Sequence, residues 1–247
     1  MVYSKYKGKK RARSSSKSHY KKKYKTRYAK KYKKRATYGW SGAYAAAKSA
    51  IVASAEKKYK DTSYQLTNCA AGGVLTFVSG VTQGADYYQR IGRKIRITSI
   101  QLEAAILPQF EGEPDRCRVL VVWDKQPNGA ALPPVTNILT DQGGGATSYS
   151  FMNLDWRERF QVLMEETFTL GFVRTTGDPA YYPYSVSPAV ANISRYKEVD
   201  LTVEFQGTDN TLGSVSTGAI YVLTIGSRSG GTCLRCSWNF RMRFTDL

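Results

Sequence analysis

Histidine is almost missing from this chain. The one copy, His19, sits near the N-terminus, so residues 61–247 hold no imidazole to serve a Ser or Cys nucleophile or to ligate a metal. Cysteine is scarce as well, at Cys69, Cys117, Cys233 and Cys236. Cys233 and Cys236 form a C-x-x-C, but no second pair completes a zinc site, and three residues apart on a strand they point to opposite faces. Buried apolar cysteine is the better reading, and no disulfide framework is expected. Gly143, Gly144 and Gly145 are not followed by the Lys-Ser/Thr of a phosphate loop. No apolar run approaches the roughly 20 residues that span a bilayer, and no apolar signal segment opens the chain, so neither membrane insertion nor secretion is expected. Carboxylates are poorly placed for catalysis. Glu165 and Glu166 are adjacent and diverge on a strand. Glu111, Glu113 and Asp115 flank Pro114 and read as a solvated turn or subunit contact, with a divalent cation between subunits as a weaker reading. These absences exclude the common enzyme classes: no catalytic residue, metal or cofactor is expected.

Acid is the other absence, and it is local. The first 35 residues carry 17 Lys or Arg and no Asp or Glu. Residues 1–60 hold 21 basic residues against Glu56 alone, a balance of +20, whereas residues 61–247 hold 16 basic and 18 acidic residues, a balance of −2. The net charge of +18 therefore belongs to one arm. A block of like charge repels itself and buries little apolar area, so the arm is expected to stay disordered until a polyanion neutralises it, and nucleic acid is the favoured polyanion. Three segments follow: a basic arm over 1–38, a linker or short helix over 39–60 that begins at the Gly39-Trp40-Ser41-Gly42 break, and a folded body over 61–247.

Within the arm the candidate phosphate ligands are Lys9, Lys10, Arg11, Arg13, Lys21, Lys22, Lys23, Arg27, Lys30, Lys31, Lys33, Lys34 and Arg35. Tyr20, Tyr24, Tyr28 and Tyr32 recur every four residues among them, a pattern suited to stacking unpaired bases between neutralised phosphates. The same basic clusters read as nuclear-import signals. In the body, Arg90, Arg93, Lys94 and Arg96 form the one dense basic cluster and are candidates to continue the nucleic-acid site; an ordinary ion-paired cluster is the competing reading. Arg241 and Arg243 either face nucleic acid or pair with acids across a sheet.

The body reads as all β. Cys236, Trp238, Phe240, Met242 and Phe244 alternate with Ser237, Asn239, Arg241, Arg243 and Thr245, one face core and the other polar. Val199, Leu201, Val203 and Phe205 alternate in the same way. Val119–Trp123 and Ile220–Ile225 are unbroken apolar runs, as expected of strands covered on both faces. Phe160 to Phe172 suggests one long strand, or two joined near Glu165-Glu166. Ile95 and Ile97 are in phase, but Ile100, Leu102, Ala104 and Ile106 are shifted by one, which predicts a bulge near Ser99. With long Pro/Gly-bearing loops at 125–157 and 173–194, this fits a single eight-stranded antiparallel jelly roll, a two-sheet sandwich, carrying a disordered basic N-terminal arm.

A basic tyrosine-bearing arm before one jelly roll resembles the capsid proteins of small circular single-stranded DNA viruses of the circovirus and geminivirus kind. Gln89–Ile97 resembles the segment leading into their first long strand, and Arg118–Asp124 their next strand, ending at a similar Asp. Arg159–Leu163 resembles the segment after their long loop, and Phe240–Asp246 their last strand. The resemblance implies a virion protein that self-assembles into an icosahedral shell, most simply of about sixty copies. It also implies an inward-facing arm that packages single-stranded DNA, contact with host nuclear import receptors and an unidentified host-cell receptor, and residence in the host nucleus during infection. The same plan in satellite RNA viruses leaves RNA as the alternative genome. A cellular nucleic-acid-binding structural protein is the rival outside virology.

Overall fold

Side chains that alternate between core and solvent set most of the strands, and the computed structural model describes them over residues 56–107, 115–170, 190–228 and 234–247. Nine strands occur among the described residues: β1 Lys57–Asn68, β2 Val74–Phe77, β3 Lys94–Leu107, β4 Asp115–Asp124, β5 Phe160–Leu170, β6 Ala191–Phe205, β7 Val215–Thr217, β8 Ala219–Gly226 and β9 Arg235–Asp246. Two sheets result, ordered β1-β9-β3-β6-β7 and β2-β8-β4-β5, with every pairing antiparallel. Apart from β7, this interleaving of chain-distant strands is the jelly-roll order. The expectation of eight strands is short by one. The extra strand, β7, has three residues and pairs only with the end of β6.

The core lies between the sheets. Cys236, Trp238, Phe240, Met242 and Phe244 of β9 and Ile95, Ile97, Ile100, Leu102 and Ile106 of β3 meet Val119, Val121 and Trp123 of β4 there. The predicted bulge is present. Ile97 pairs with Phe244 but Ser99 with Arg243, so Thr98 is the extra residue against β9, and its hydroxyl donates to the Arg243 carbonyl at 3.2 Å. On its other side β3 pairs Ile97 with Leu201 and Ser99 with Glu198, so β6 carries a compensating extra residue. β5 is one continuous strand with a register shift opposite Val121 and Val122, which settles the choice left open at Glu165-Glu166.

The double-sided burial expected of β4 and β8 has a specific cause. The long loop after β4 folds back over the outer face of the four-stranded sheet. A one-turn helix, α1 (Val135–Ile138), and Leu139, Ala146 and Met152 pack on Leu120, Val122, Tyr221 and Leu223. Arg118 donates to the Ser150 carbonyl at 2.6 Å, and Ser148 N–H donates to the Gly226 carbonyl at 3.1 Å, tying the loop to the sheet.

The expected linker ends too late. β1 starts at Lys57, and the compact unit runs from Ala55 to Leu247. The core-side positions of β1 are Lys58 and Lys60, which hide an edge strand from an apolar-alternation reading. Their stems are covered while their ammonium groups reach backbone carbonyls of the loop after β2: Lys58 donates to Gln89 at 3.1 Å and Lys60 to Gly80. Lys58 also lies 3.0 Å from Asp246. The arm over 1–38, the first part of the linker and the greater part of loop 173–194 lie outside the described residues. Among the described residues no helix is long and apolar enough to cross a membrane.

Candidate nucleic-acid interface

The arm's candidates, Lys9 through Arg35 with Tyr20, Tyr24, Tyr28 and Tyr32, lie outside the described residues. The described part of the chain opens with β1, the edge strand of the five-stranded sheet.

The basic cluster at the start of β3 divides. Arg90 is fully buried: Nε donates to the Val81 carbonyl at 3.0 Å, Nη1 to that of Gly92 at 2.6 Å and Nη2 to that of Gly207, while the guanidinium lies 4.2 Å from the Phe205 ring centroid. Burial lowers its pKa, against the pull of Asp246. Its role is to clamp the loop after β2 to the loop after β6, so the expectation of Arg90 as a nucleic-acid ligand is corrected. Lys94 lies 3.3 Å from Glu204, its directly paired neighbour on β6. Arg96 forks onto Asp200, Nε and Nη2 donating at 2.5 and 2.8 Å. Arg93 is exposed. Read along the sequence these four residues form a basic patch. In the fold one turns inward and two are neutralised by β6, whose acids lie about a hundred positions away in sequence.

Arg241 and Arg243 share the outer face of the same sheet. Arg241 donates through Nε and Nη2 to both oxygens of Asp61 on β1, each at 2.7 Å, which holds the Asp61 carboxyl below its usual range. Arg243 donates to Gln101 at 3.2 Å, and its charge adds to that of Arg241 in lowering the pKa of the Asp61 carboxyl. Both guanidiniums lie over rings: Arg241 is 5.1 Å from the Tyr59 centroid and Arg243 5.7 Å from that of Tyr196. Tyr59 in turn meets Tyr87 at 5.2 Å, and Tyr87 meets Tyr88 edge-on at 5.2 Å. Interaction with Tyr59 raises the pKa of the Tyr87 hydroxyl, and interaction with Asp86 raises that of Tyr88. The sequence reading passed over these body tyrosines. The available signal was the Tyr87-Tyr88 doublet in a loop bounded by Gly84 and Gly92.

The remaining candidates are structural. Asp115 is buried; its carboxylate accepts from Arg116 N–H at 2.7 Å, Leu234 N–H at 3.2 Å and the Ser227 hydroxyl, which ties the start of β4 to the segment before β9. Glu111 and Glu113 lie outside the described residues, among which no cluster of three metal-ligating side chains occurs. Cys69, Cys117 and Cys236 are buried thiols, and a hydrogen bond with Cys69, together with burial, pushes the Cys236 thiol up. Cys233 lies outside the described residues. Glu165 and Glu166 do point apart, Glu165 to Arg118 at 2.9 Å and Glu166 to Arg195.

A jelly roll preceded in sequence by a basic arm is the setting for the sequence comparison. The profile of the satellite tobacco necrosis virus coat protein family matches residues 28–247. The chain belongs to that family. It is a structural viral capsid protein and not an enzyme. The match takes in Tyr28 and Tyr32 of the arm and the whole jelly roll. A search of curated proteins finds no match. Solved structures of low similarity include desmodium yellow mottle tymovirus, at 10% identity and TM-score 0.31 over 77% of this chain and 87% of that one. Another is tomato aspermy virus, at 9% identity and TM-score 0.31 over 78% and 79%. Neither is close enough to add to the family match.

The coat-protein family corrects the likeness to circular single-stranded DNA viruses. The segments behind that likeness, Gln89–Ile97, Arg118–Asp124, Arg159–Leu163 and Phe240–Asp246, are strands and strand entries whose alternation the jelly roll itself demands.

Proposed function

We propose that this coat protein assembles into a closed icosahedral shell and packages a single-stranded genome through its basic arm. The observation that carries the proposal is the division of charge: +20 in residues 1–60 and −2 in the rest. A near-neutral body lets subunits approach one another, and a detached block of cations condenses a polyanion with release of its counterions. Phe151 and Leu154, 78% and 68% exposed on the loop after β4, supply apolar surface for subunit contacts. The satellite-virus family favours RNA over the DNA genome first expected. Nuclear import of the chain rests on the arm's basic clusters alone, and a host-cell receptor on the coat role.

The test is size-exclusion chromatography and negative-stain microscopy of the expressed protein, with the 260/280 nm absorbance ratio and nuclease digestion of the extracted nucleic acid. Uniform particles whose cargo is destroyed by RNase support the reading; DNase-sensitive cargo returns the genome to DNA. A soluble monomer that binds nucleic acid without assembling rejects the shell and favours a nucleic-acid-binding structural protein. Deleting residues 1–38 is expected to leave a folded body that assembles without cargo, whereas an unfolded product would make the arm part of the fold.

A further inference from the structure

We infer that the outer face of the five-stranded sheet is a stacking platform for the unpaired bases of a single-stranded nucleic acid, built from Tyr59, Tyr87, Tyr88 and Tyr196 with Arg241 and Arg243 between them. This rests on the packaging reading and adds to it a site in the folded body that works by stacking where the arm works by charge.

The two sheets differ in what lies on their outer faces. The loop after β4 covers the four-stranded sheet with apolar side chains. The five-stranded sheet instead presents polar and aromatic side chains to solvent, and its rings are only partly covered: Tyr59 is 40% exposed, Tyr87 56%, Tyr88 45% and Tyr196 57%. Rings held for packing alone would be buried. These are fixed by one another and by cations yet keep open surface, as base stacking requires. From Tyr59 on β1 to Tyr196 on β6 the platform crosses three strand spacings, about 14 Å, which accommodates a few nucleotides.

Charge on this face argues for bases over phosphates. Arg241, Arg96 and Lys94 are each matched by a carboxylate, Asp61, Asp200 and Glu204 respectively. Arg243 alone of this group makes no ion pair at salt-bridge distance among the described residues, and it lies between Gln101 and Tyr196. Phosphate attraction on this face therefore comes chiefly from Arg243 and from Lys57, which is exposed on the same face of β1 as Tyr59. The arm adds to it through covalent tethering, since the chain that follows it continues into β1, the strand that carries Tyr59. A strand of nucleic acid held by the arm is delivered to the platform at high effective concentration.

The ligand chemistry is an unpaired nucleobase, common to RNA and DNA. The experiment irradiates the full-length protein bound to oligonucleotides containing 5-bromouridine, and separately 5-bromodeoxyuridine, and maps the crosslinks by mass spectrometry. Crosslinks on peptides bearing Tyr59, Tyr87, Tyr88 or Tyr196, in addition to the arm, are expected. The oligonucleotide giving the stronger body crosslinks identifies the preferred sugar. Replacing all four tyrosines by Leu is expected to reduce the body crosslinks at least tenfold while those of the arm persist. Crosslinks confined to residues 1–55 in the unaltered protein overturn the inference and leave the packaging reading standing. A protein that binds neither oligonucleotide overturns both.

Discussion

Arg159 forks onto Asp124 across the neck of the loop that covers the four-stranded sheet. Its Nε and Nη2 donate to the two carboxylate oxygens at 2.8 Å each, and the Asp124 side chain is fully buried. Asp124 ends β4 and Arg159 immediately precedes β5, so a single pair closes a loop of more than thirty residues. Asp124→Ala leaves a partly buried guanidinium without its counter-charge and is expected to cost about 3–5 kcal/mol in urea unfolding. The double change Asp124→Leu with Arg159→Met is expected to recover most of that loss. If the double variant is as unstable as the single one, the pair does more than cancel two charges.

Alkaline pH probes the same corner. Burial, helped by Asp124, raises the pKa of Tyr221, whose hydroxyl lies 3.4 Å from Asp124. In the unfolded chain a tyrosine ionises near pH 10. Above that pH the unfolded state releases a proton that the folded state keeps. The stabilisation is thus complete below about pH 10 and declines as pH rises toward the folded pKa. Thermal unfolding at pH 8 and pH 11 is expected to show a smaller alkaline drop in Tyr221→Phe than in the unaltered protein. An identical drop would assign the alkaline loss to other groups.

Arg90 and Arg93 are expected to separate cleanly. Arg90→Met strands three carbonyls, those of Val81, Gly92 and Gly207, and is expected to destabilise by about 3–5 kcal/mol. Arg93→Ala, at an exposed position, is expected to stay within about 0.5 kcal/mol. Denaturant midpoints of the two variants decide it. A mild Arg90 variant with weakened nucleic-acid binding would restore that residue to the interface.

One substitution is expected to stabilise. Leu66 is the described non-glycine residue with positive φ, at 50°, where the register of β1 shifts against β9 between Tyr64 and Thr67. Its side chain is 54% exposed, so little packing is lost on removing it. Leu66→Gly relieves the left-handed strain at the expense of chain entropy and is expected to gain about 0.5–1 kcal/mol, read from the unfolding midpoint.

The strands legible in the sequence were those whose core faces are apolar throughout. β9, β4 and β8 could be read directly, and the phase change between Ile97 and Ile100 located a bulge to within one residue because a slipped register turns every later side chain over. β1 was not legible. Its core-facing Lys58 and Lys60 end on backbone carbonyls, and nothing in a run of lysines shows that a carbonyl waits beneath the sheet edge. Arg90 was misread for a related reason. A cluster of like charges along the chain does not reveal which guanidinium turns inward, nor that Asp200 and Glu204 lie opposite two of the others. The proposed tyrosine platform draws on β1, β9 and β6, brought together by the sheet order, and on the loop after β2, placed by its ring contact with Tyr59.

The pairing of Lys57 with Thr245, and of Lys58 with Asp246 by charge, places the entry of β1 beside the exit of β9. A peptide, dye or enzyme joined after Leu247 would therefore leave the domain beside the start of β1, in the compartment that this edge of the sheet faces. A protease site engineered there would report that compartment directly: cleaved when it opens to the medium, protected when the shell encloses it.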